Sequence, residues 1–439
     1  KILQRAQATR ASSSPNHFGN LEVGLRPARK KKAIERYADE YDGLMCLLSE
    51  VQDEDATSYQ QIMKFKNKEN WQEAMDQEMK SITSHETWDL QDLPPGKKAI
   101  GCRWLFKVKK NADGSINKYK ARLCAQGFTQ THGVDFNETF APVARMTSIR
   151  SMLSIAAIKD LEVQQFDIDT AFLYGKIDED IYMKQPSGYV DEAKPYKVCK
   201  LKKSLYGTKQ AARQWNEALD RHMVGQGFKI STADPCIYYI INDQVYTVVA
   251  VYVDDIIMIS KSMKEVEEFK FKLKQEFKIK DLGEMKFCLG IEITRDRKQR
   301  LITMSQLGYI NKIAERFGLT ECKKSATPAD SNSSLTKRQP EDIDDINFPY
   351  RAIIGSLMYA MVCTRPDIAN AVGNLARFND NPSREHWIAA KRVLRYLVTT
   401  KNKVLVFGSS KDEDLVCFAD ANWASDVDTR RSTTGFIFK

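Results

Sequence analysis

The chain has 439 residues, 42% of them hydrophobic and 28% charged, with a formal net charge of +9. That length exceeds one ordinary core and calls for two or three packed units of a folded protein. No apolar run is long enough to span a bilayer, because the most apolar stretch, Val248 to Ile259, is interrupted by two acids. The cationic excess suits a polyanionic partner. The nine cysteines are odd in number and lack CxxC spacing, which argues against zinc and disulfide frameworks and for a reducing interior.

Residues 1–60 lack periodicity and carry Ser12 to Pro15 and the run Arg29-Lys30-Lys31-Lys32. They predict a flexible basic linker. The basic run reads as a solvated tail or as a nuclear-localisation or nucleic-acid patch. Order is expected from near Asn70, which with Glu73 resembles a capping box ahead of Trp71, Met75, Met79 and Ile82 at helical spacing. A hairpin follows. Trp104, Phe106 and Val108 alternate with charges, Asp113-Gly114 marks the turn, and Tyr119, Ala121 and Leu123 alternate on the return. Its other face carries Lys107, Lys109, Lys118, Lys120 and Arg122.

Further along, the pattern predicts a helix over 143–158, a strand from Val163 to Ile168 leading into a short helix, and a helix over 209–226. A second hairpin is expected over 238–260, then a lysine-rich helix over 264–277 and short strands to about 304. Helices are expected near 305–316, 348–360, 366–377 and 384–398. A loop at 331–335 and an acidic run at 341–345 separate the first two, and the last forty residues return to a β pattern. There is no internal repeat.

The chemistry concentrates at Asp254 and Asp255, adjacent acids inside the apolar run from Val248 to Ile259. Neighbouring carboxylates in such surroundings repel each other and lose hydration. A cation compensates both costs, and a hairpin turning at the acids would seat a divalent metal through oxygen ligands. An ordinary turn with solvated acids is the alternative, opposed by the apolar flanks. A nucleotide hydrolase would need a G-x-x-x-x-G-K-[ST] loop, and the chain has none. A second strand ends in Asp167 and Asp169, which period two puts on one face. Asp167 lies deeper in the apolar pattern. Asp169 reads as a cap for the helix starting near Thr170. The five dispersed histidines read as surface or packing residues.

Several motifs stand in a specific order: YKARLCAQGFTQ at 119–130, ETFAPVA at 138–144, FDIDTAFLYG at 166–175, EDIYMKQP at 179–186, SLYGTKQAARQW at 204–215, YVDD at 252–255, DLGEMKFCLGIEI at 281–293, GSLMY at 355–359 and TRPD at 364–367. Together, from about residue 70 to the end, they resemble the reverse transcriptase of copia-like LTR retrotransposon Pol polyproteins. The resemblance implies an α+β right-hand polymerase with fingers, palm and thumb, a connection region and a truncated RNase H-like β segment. The implied divisions are 1–60 linker from the preceding polyprotein region, 61–300 fingers and palm, 301–400 thumb and connection, and 401–439 the first part of an RNase H domain.

It also implies roles. Asp167, Asp254 and Asp255 would be the palm carboxylates that hold two magnesium ions, with manganese able to substitute. Lys120 and Arg122, on one face by period two, would grip the triphosphate. Phe172 would be an aromatic gate against a 2′-hydroxyl; read without the resemblance, it is a core residue. Tyr206 and Gly207 would open the loop that meets nucleotide and template. Lys209 and Arg213 would face phosphate or solvent, and Phe287 to Ile293 would grip the primer. Asp420 would be the first metal ligand of an incomplete RNase H site, with no RNase H activity and poor stability expected of that piece. The chain departs from many relatives, which carry Lys, at Asp169.

The implied partners are an RNA template, a DNA primer–template, dNTPs and the other Pol polyprotein domains, with no membrane. Both ends read as cuts through a longer polyprotein. The implied setting is a cytoplasmic retrotransposon particle, whose DNA product later reaches the nucleus. The implied activity is RNA-directed DNA synthesis. The alternative is a decayed or co-opted copy that binds nucleic acid without catalysis.

Overall fold

The computed structural model describes residues 58–110, 115–330, 335–339, 348–408 and 415–438. The Asp113-Gly114 turn, the acidic run at 341–345 and all but the end of the linker and of the 331–335 loop lie outside these residues. Order is already present at Ser58, whose side chain caps the short helix Tyr59–Ile62 in a capping box with Gln61. Helix α1, Lys68–Ser84, starts before the expected box at Asn70. Its cap is Asn67, without a side-chain capping bond. The Asn67 amide instead donates to the Tyr119 hydroxyl at 3.2 Å. Helix α1 buries Trp71, Ala74, Met75 and Ile82.

Strands β1, Cys102–Lys110, and β2, Ile116–Ala125, form an antiparallel ribbon. Trp104, Ala121 and Leu123 bury one face in a common core with α1. The other face sets like charges directly opposite one another: Lys107 faces Lys120 and Lys109 faces Lys118, with Arg122 opposite Leu105. Such pairs cost stability in an isolated sheet.

Next come α2, Met146–Lys159, β3, Glu162–Ile168, and α3, Ala211–Gly225. Then follow β4, Lys229–Ile230, β5, Ile237–Ile241, β6, Tyr246–Tyr252, β7, Asp255–Ser260, α4, Met263–Lys274, and β8, Ile279–Glu284. The six strands lie in the order β8-β3-β7-β6-β5-β4, with neighbours antiparallel. The expected single hairpin over 238–260 is therefore three strands with two turns. The first turn is closed by the Asn242 side chain, which accepts from the N–H groups of Gln244 and Val245. The Ser262 hydroxyl caps α4 by accepting from Glu265 N–H.

The central strands are covered on both sides, which is why their sequences are almost continuously apolar. Val163, Ile257 and Ile259 share a core with Ile149, Leu153 and Ala156 of α2. Phe166, Ile256 and Met258 share another with Trp215 and Leu219 of α3 and Phe269 of α4.

A four-stranded sheet follows, from Phe287–Cys288, Ile291–Asp296, Leu301–Ser305 and Leu405–Gly408. Its last strand pairs with Leu301–Ser305, so residues 405–408 return to this sheet instead of joining the final β piece. Between lie α5, Leu307–Arg316, α6, Tyr350–Cys363, α7, Ala369–Ala376, and α8, Arg384–Thr399, around a core containing Ile313, Ile353, Val372 and Leu394. Cys417–Ala421 pairs with Thr434–Phe438. Every residue of these two strands is exposed, as expected of a sheet without neighbours. Among the described residues, no helix is long and apolar enough to cross a membrane.

Candidate active site

The chain ends β6 at Tyr252, turns through Val253 and Asp254, and re-enters the sheet at Asp255. A two-residue hairpin loop with positive φ at its first position ordinarily uses glycine there. Here Val253 occupies it, at φ 58°. A β-branched side chain in that region stores about 1–3 kcal/mol of strain. Two bonds hold the turn. The indole Nε1 of Trp215 donates to the Val253 carbonyl at 2.7 Å, and Ile168 N–H donates to the Asp254 carbonyl at 2.9 Å.

The second bond ties the turn to the end of β3, and the register places Asp255 directly opposite Asp167. Residues so paired point to the same face, with Cβ atoms about 4.5–5.5 Å apart. Asp167, Asp254 and Asp255 thus come together at one end of the sheet, each half-buried. Asp255 is pushed up to about 6 by burial and by the charges of Asp254 and Asp167. Gln165 Nε2, donating to Asp255 Oδ1 at 3.4 Å, works against that rise. Burial and the charges of Asp254 and Asp169 also raise Asp167, while Lys120 and Lys280 offset part of the effect.

Hard carboxylate oxygens that are destabilised as anions are a suitable donor set for a divalent cation. Among the described residues, no group of three or more His, Cys, Asp or Glu side chains is already gathered in a metal-binding arrangement. The acids as placed are convergent without forming a closed cage.

Asp169 does not cap the following turn. That turn, Ala171–Tyr174, begins at Thr170 in a left-handed conformation (φ 56°) and has no side-chain capping bond. The Asp169 carboxylate instead pairs with Lys278 at 3.0 Å, and its N–H donates to the Lys278 carbonyl. Pairing with β3's neighbouring chain draws Asp169 away from the helix start.

The five residues expected to meet a nucleotide lie beside this end of the sheet. Lys120 is lowered by burial and by Arg122 and Lys109, with Glu78 and Asp167 acting the other way. The Arg122 guanidinium lies 4.6 Å from the centroid of the Tyr206 ring. Tyr206 meets Phe172 edge-on, with centroids 4.9 Å apart and planes at 70°. The Tyr206 carbonyl accepts from Ala125 N–H at 2.7 Å, which joins this loop to the end of β2. Gly207 has φ 86°, and a Cβ there would stand 2.2 Å from the Ala125 carbonyl oxygen. Only glycine fits both constraints. Arg213 pairs with Glu217 at 2.9 Å and lies 3.9 Å from Glu138, while Lys209 is exposed.

Two residues of this region were not singled out for a role from sequence. Glu78 is buried on α1 and accepts from Leu123 N–H at 3.3 Å, with Arg122 and Lys120 lowering a pKa that burial raises. Its signal was a carboxylate on the apolar stripe of an amphipathic helix. Trp215 lies on the helix expected over 209–226, but its bond to the turn had no signal in the sequence. Asp420 is exposed in the separate two-stranded piece, opposite Gly435.

A family model described as reverse transcriptase (RNA-dependent DNA polymerase) matches residues 85–331, and this chain belongs to that family. Its relatives include Pol polyproteins of copia-like transposons. It is 43% identical over 392 residues to the retrovirus-related Pol polyprotein from transposon TNT 1-94 of Nicotiana tabacum, covering 88% of this chain and 29% of the relative. It is 38% identical to that from transposon RE1 of Arabidopsis thaliana, covering 84% of this chain and 25% of the relative. The putative transposon Ty5-1 protein of Saccharomyces cerevisiae is 34% identical, over 62% of this chain and 87% of its own length. The chain thus spans under a third of the two plant relatives.

Proposed function

We propose that this chain is the RNA-directed DNA polymerase part of a retrotransposon Pol polyprotein. The observation that carries the reading is the registered pair Asp255 and Asp167 beside the Val253-Asp254 turn. In this reading Asp167, Asp254 and Asp255 hold two divalent ions, magnesium by donor type. When bound, those ions would lower the pKa of the primer 3′-hydroxyl and neutralise the triphosphate. The protein's own part is orientation. Lys120 and Arg122 bind the triphosphate through charge-assisted contacts. Gly207 lets the backbone approach the nucleotide, and Phe172 crowds a ribose 2′-hydroxyl. The basic face of the β1–β2 ribbon tracks nucleic-acid phosphate.

The substrates in this reading are an RNA or DNA template, a DNA primer and dNTPs. The ribbon belongs to fingers, the six-stranded sheet to a palm, and α5 to α8 to a thumb and connection region. The Cys417–Phe438 piece opens an RNase H domain in which Asp420 belongs to no group of three or more potential metal ligands among the described residues. The setting is a cytoplasmic particle.

The test is extension of a DNA primer on a defined RNA template with magnesium and dNTPs, comparing wild type with Asp254→Asn. Extension that disappears in the mutant supports the polymerase. A folded wild-type chain that binds primer–template but never extends it would instead be a nucleic-acid-binding copy without catalysis.

A further inference from the structure

Tyr206 touches two side chains of different duty. The Arg122 guanidinium lies over its ring, 4.6 Å from the centroid, and the Phe172 ring meets it at 70° with centroids 4.9 Å apart. Both arrangements have directional preferences: a cation favours the face of an aromatic ring, and an edge-to-face pair favours one ring orientation. The backbone of Tyr206 has little freedom, because its carbonyl is bonded to Ala125 N–H and the next residue is pressed against the Ala125 carbonyl. Phe172 sits in the short turn Ala171–Tyr174, entered through the left-handed Thr170, and is only partly buried. Packing on the core side alone therefore leaves one side of its ring to be fixed by Tyr206. Burial pushes the Tyr206 hydroxyl up to about 12, so the ring stays neutral across any working pH.

We propose that Tyr206 is a specificity-determining positioning residue. Clamped by Arg122, it sets the orientation of the Phe172 ring and so couples the grip on the triphosphate to the choice between deoxyribose and ribose. The proposal rests on the polymerase reading above. A triphosphate that draws the Arg122 guanidinium toward its oxygens changes the load on the Tyr206 face, and the Phe172 edge follows. Sugar discrimination is then a property of the three-residue stack, not of Phe172 alone.

The experiment measures kcat/KM for single-nucleotide incorporation of a dNTP and of the matching rNTP on one RNA-templated primer. The readout is their ratio, which a general loss of structure lowers in neither direction. Tyr206→Leu removes the aromatic edge at similar bulk, and the dNTP preference should fall about three- to tenfold. Tyr206→Phe keeps the ring and should restore the wild-type ratio. Arg122→Gln weakens both nucleotides, and the ratio should also fall, whereas a residue that only grips phosphate would leave it unchanged. In Phe172→Ala, adding Tyr206→Leu should bring no further loss of preference, because the two act through one contact. A wild-type ratio in Tyr206→Leu, or additive losses in the double variant, overturns the inference while extension itself leaves the polymerase reading standing. Absence of any extension by the wild-type chain removes that reading, and this inference with it.

Discussion

The indole of Trp215 donates a 2.7 Å hydrogen bond to the carbonyl of Val253, the residue held at φ 58° in the turn that carries Asp254 and leads into Asp255. A buried aromatic on α3 thereby restrains a strained turn on the neighbouring hairpin, at the point where the chain leaves the sheet after Tyr252 and re-enters it at Asp255.

Trp215→Phe keeps an aromatic ring in the core but leaves that carbonyl without its donor. The expected cost is about 1–3 kcal/mol of stability, read as a lower urea midpoint. In extension assays kcat should fall more than KM rises, because the change reaches the acids and not the nucleotide loop. Equal stability and unchanged kcat would show that the turn holds itself.

The acids give the metal-free chain a defined pH response. Asp255 is raised from 3.8 to about 6, and Asp167 is raised as well. The folded state therefore binds these protons more tightly than the unfolded chain. Their contribution to stability is greatest below the ordinary carboxylate value and is lost as pH rises through about 6. Asp255→Asn removes that loss, so it should gain on wild type in chelator at pH 8 and show no such gain at pH 4. Urea midpoints at the two pH values decide this, and a gain confined to pH 4 would refute it.

Divalent ions should reverse the effect in the wild type. Magnesium at about 100 times its dissociation constant adds about 2.7 kcal/mol to a site that exists only in the folded state. The rise in melting temperature should be large at pH 8, smaller at pH 5 where protons compete, and nearly absent in Asp254→Asn and Asp255→Asn. A rise of equal size in the wild type and both variants would place the ion elsewhere.

The like-charged ribbon makes stability and binding respond in opposite directions. Lys109 faces Lys118 across β1 and β2. Lys109→Glu turns a repelling pair into an attractive one and should stabilise the free protein by about 0.2–1 kcal/mol. Primer–template affinity should fall, and the slope of log affinity against log salt should shrink by about one to two. Loss of stability together with unchanged binding would show that the ribbon does not track phosphate.

Gly207→Ala meets both a positive φ and the Ala125 carbonyl. The backbone conformation alone should cost about 1–3 kcal/mol, and KM for nucleotide should rise because the loop must move. Calorimetry and nucleotide titration measure the two effects separately, and a stable variant with unchanged KM would argue against the close approach.

The sequence by itself determined the ribbon around 102–125 and the strand from Val163, which of their faces are apolar, and that Asp167 and Asp255 stand at strand ends. Period-two alternation and the order of motifs suffice for that, because they depend on local geometry and composition. Boundaries shifted where a side chain had a better distant partner, as Asn67 does with Tyr119 and Asp169 with Lys278. Only the tertiary structure decided that Asp255 faces Asp167, that Trp215 holds the Val253 turn, that Glu78 lies under the ribbon, and that Tyr206 joins Arg122 to Phe172. Periodicity assigns a residue to a face but names no partner across the sheet. Register, hydrogen-bond direction and ring geometry arise when distant segments pack at crystal-like density, and there the last ångström is set by neighbours far away in the chain.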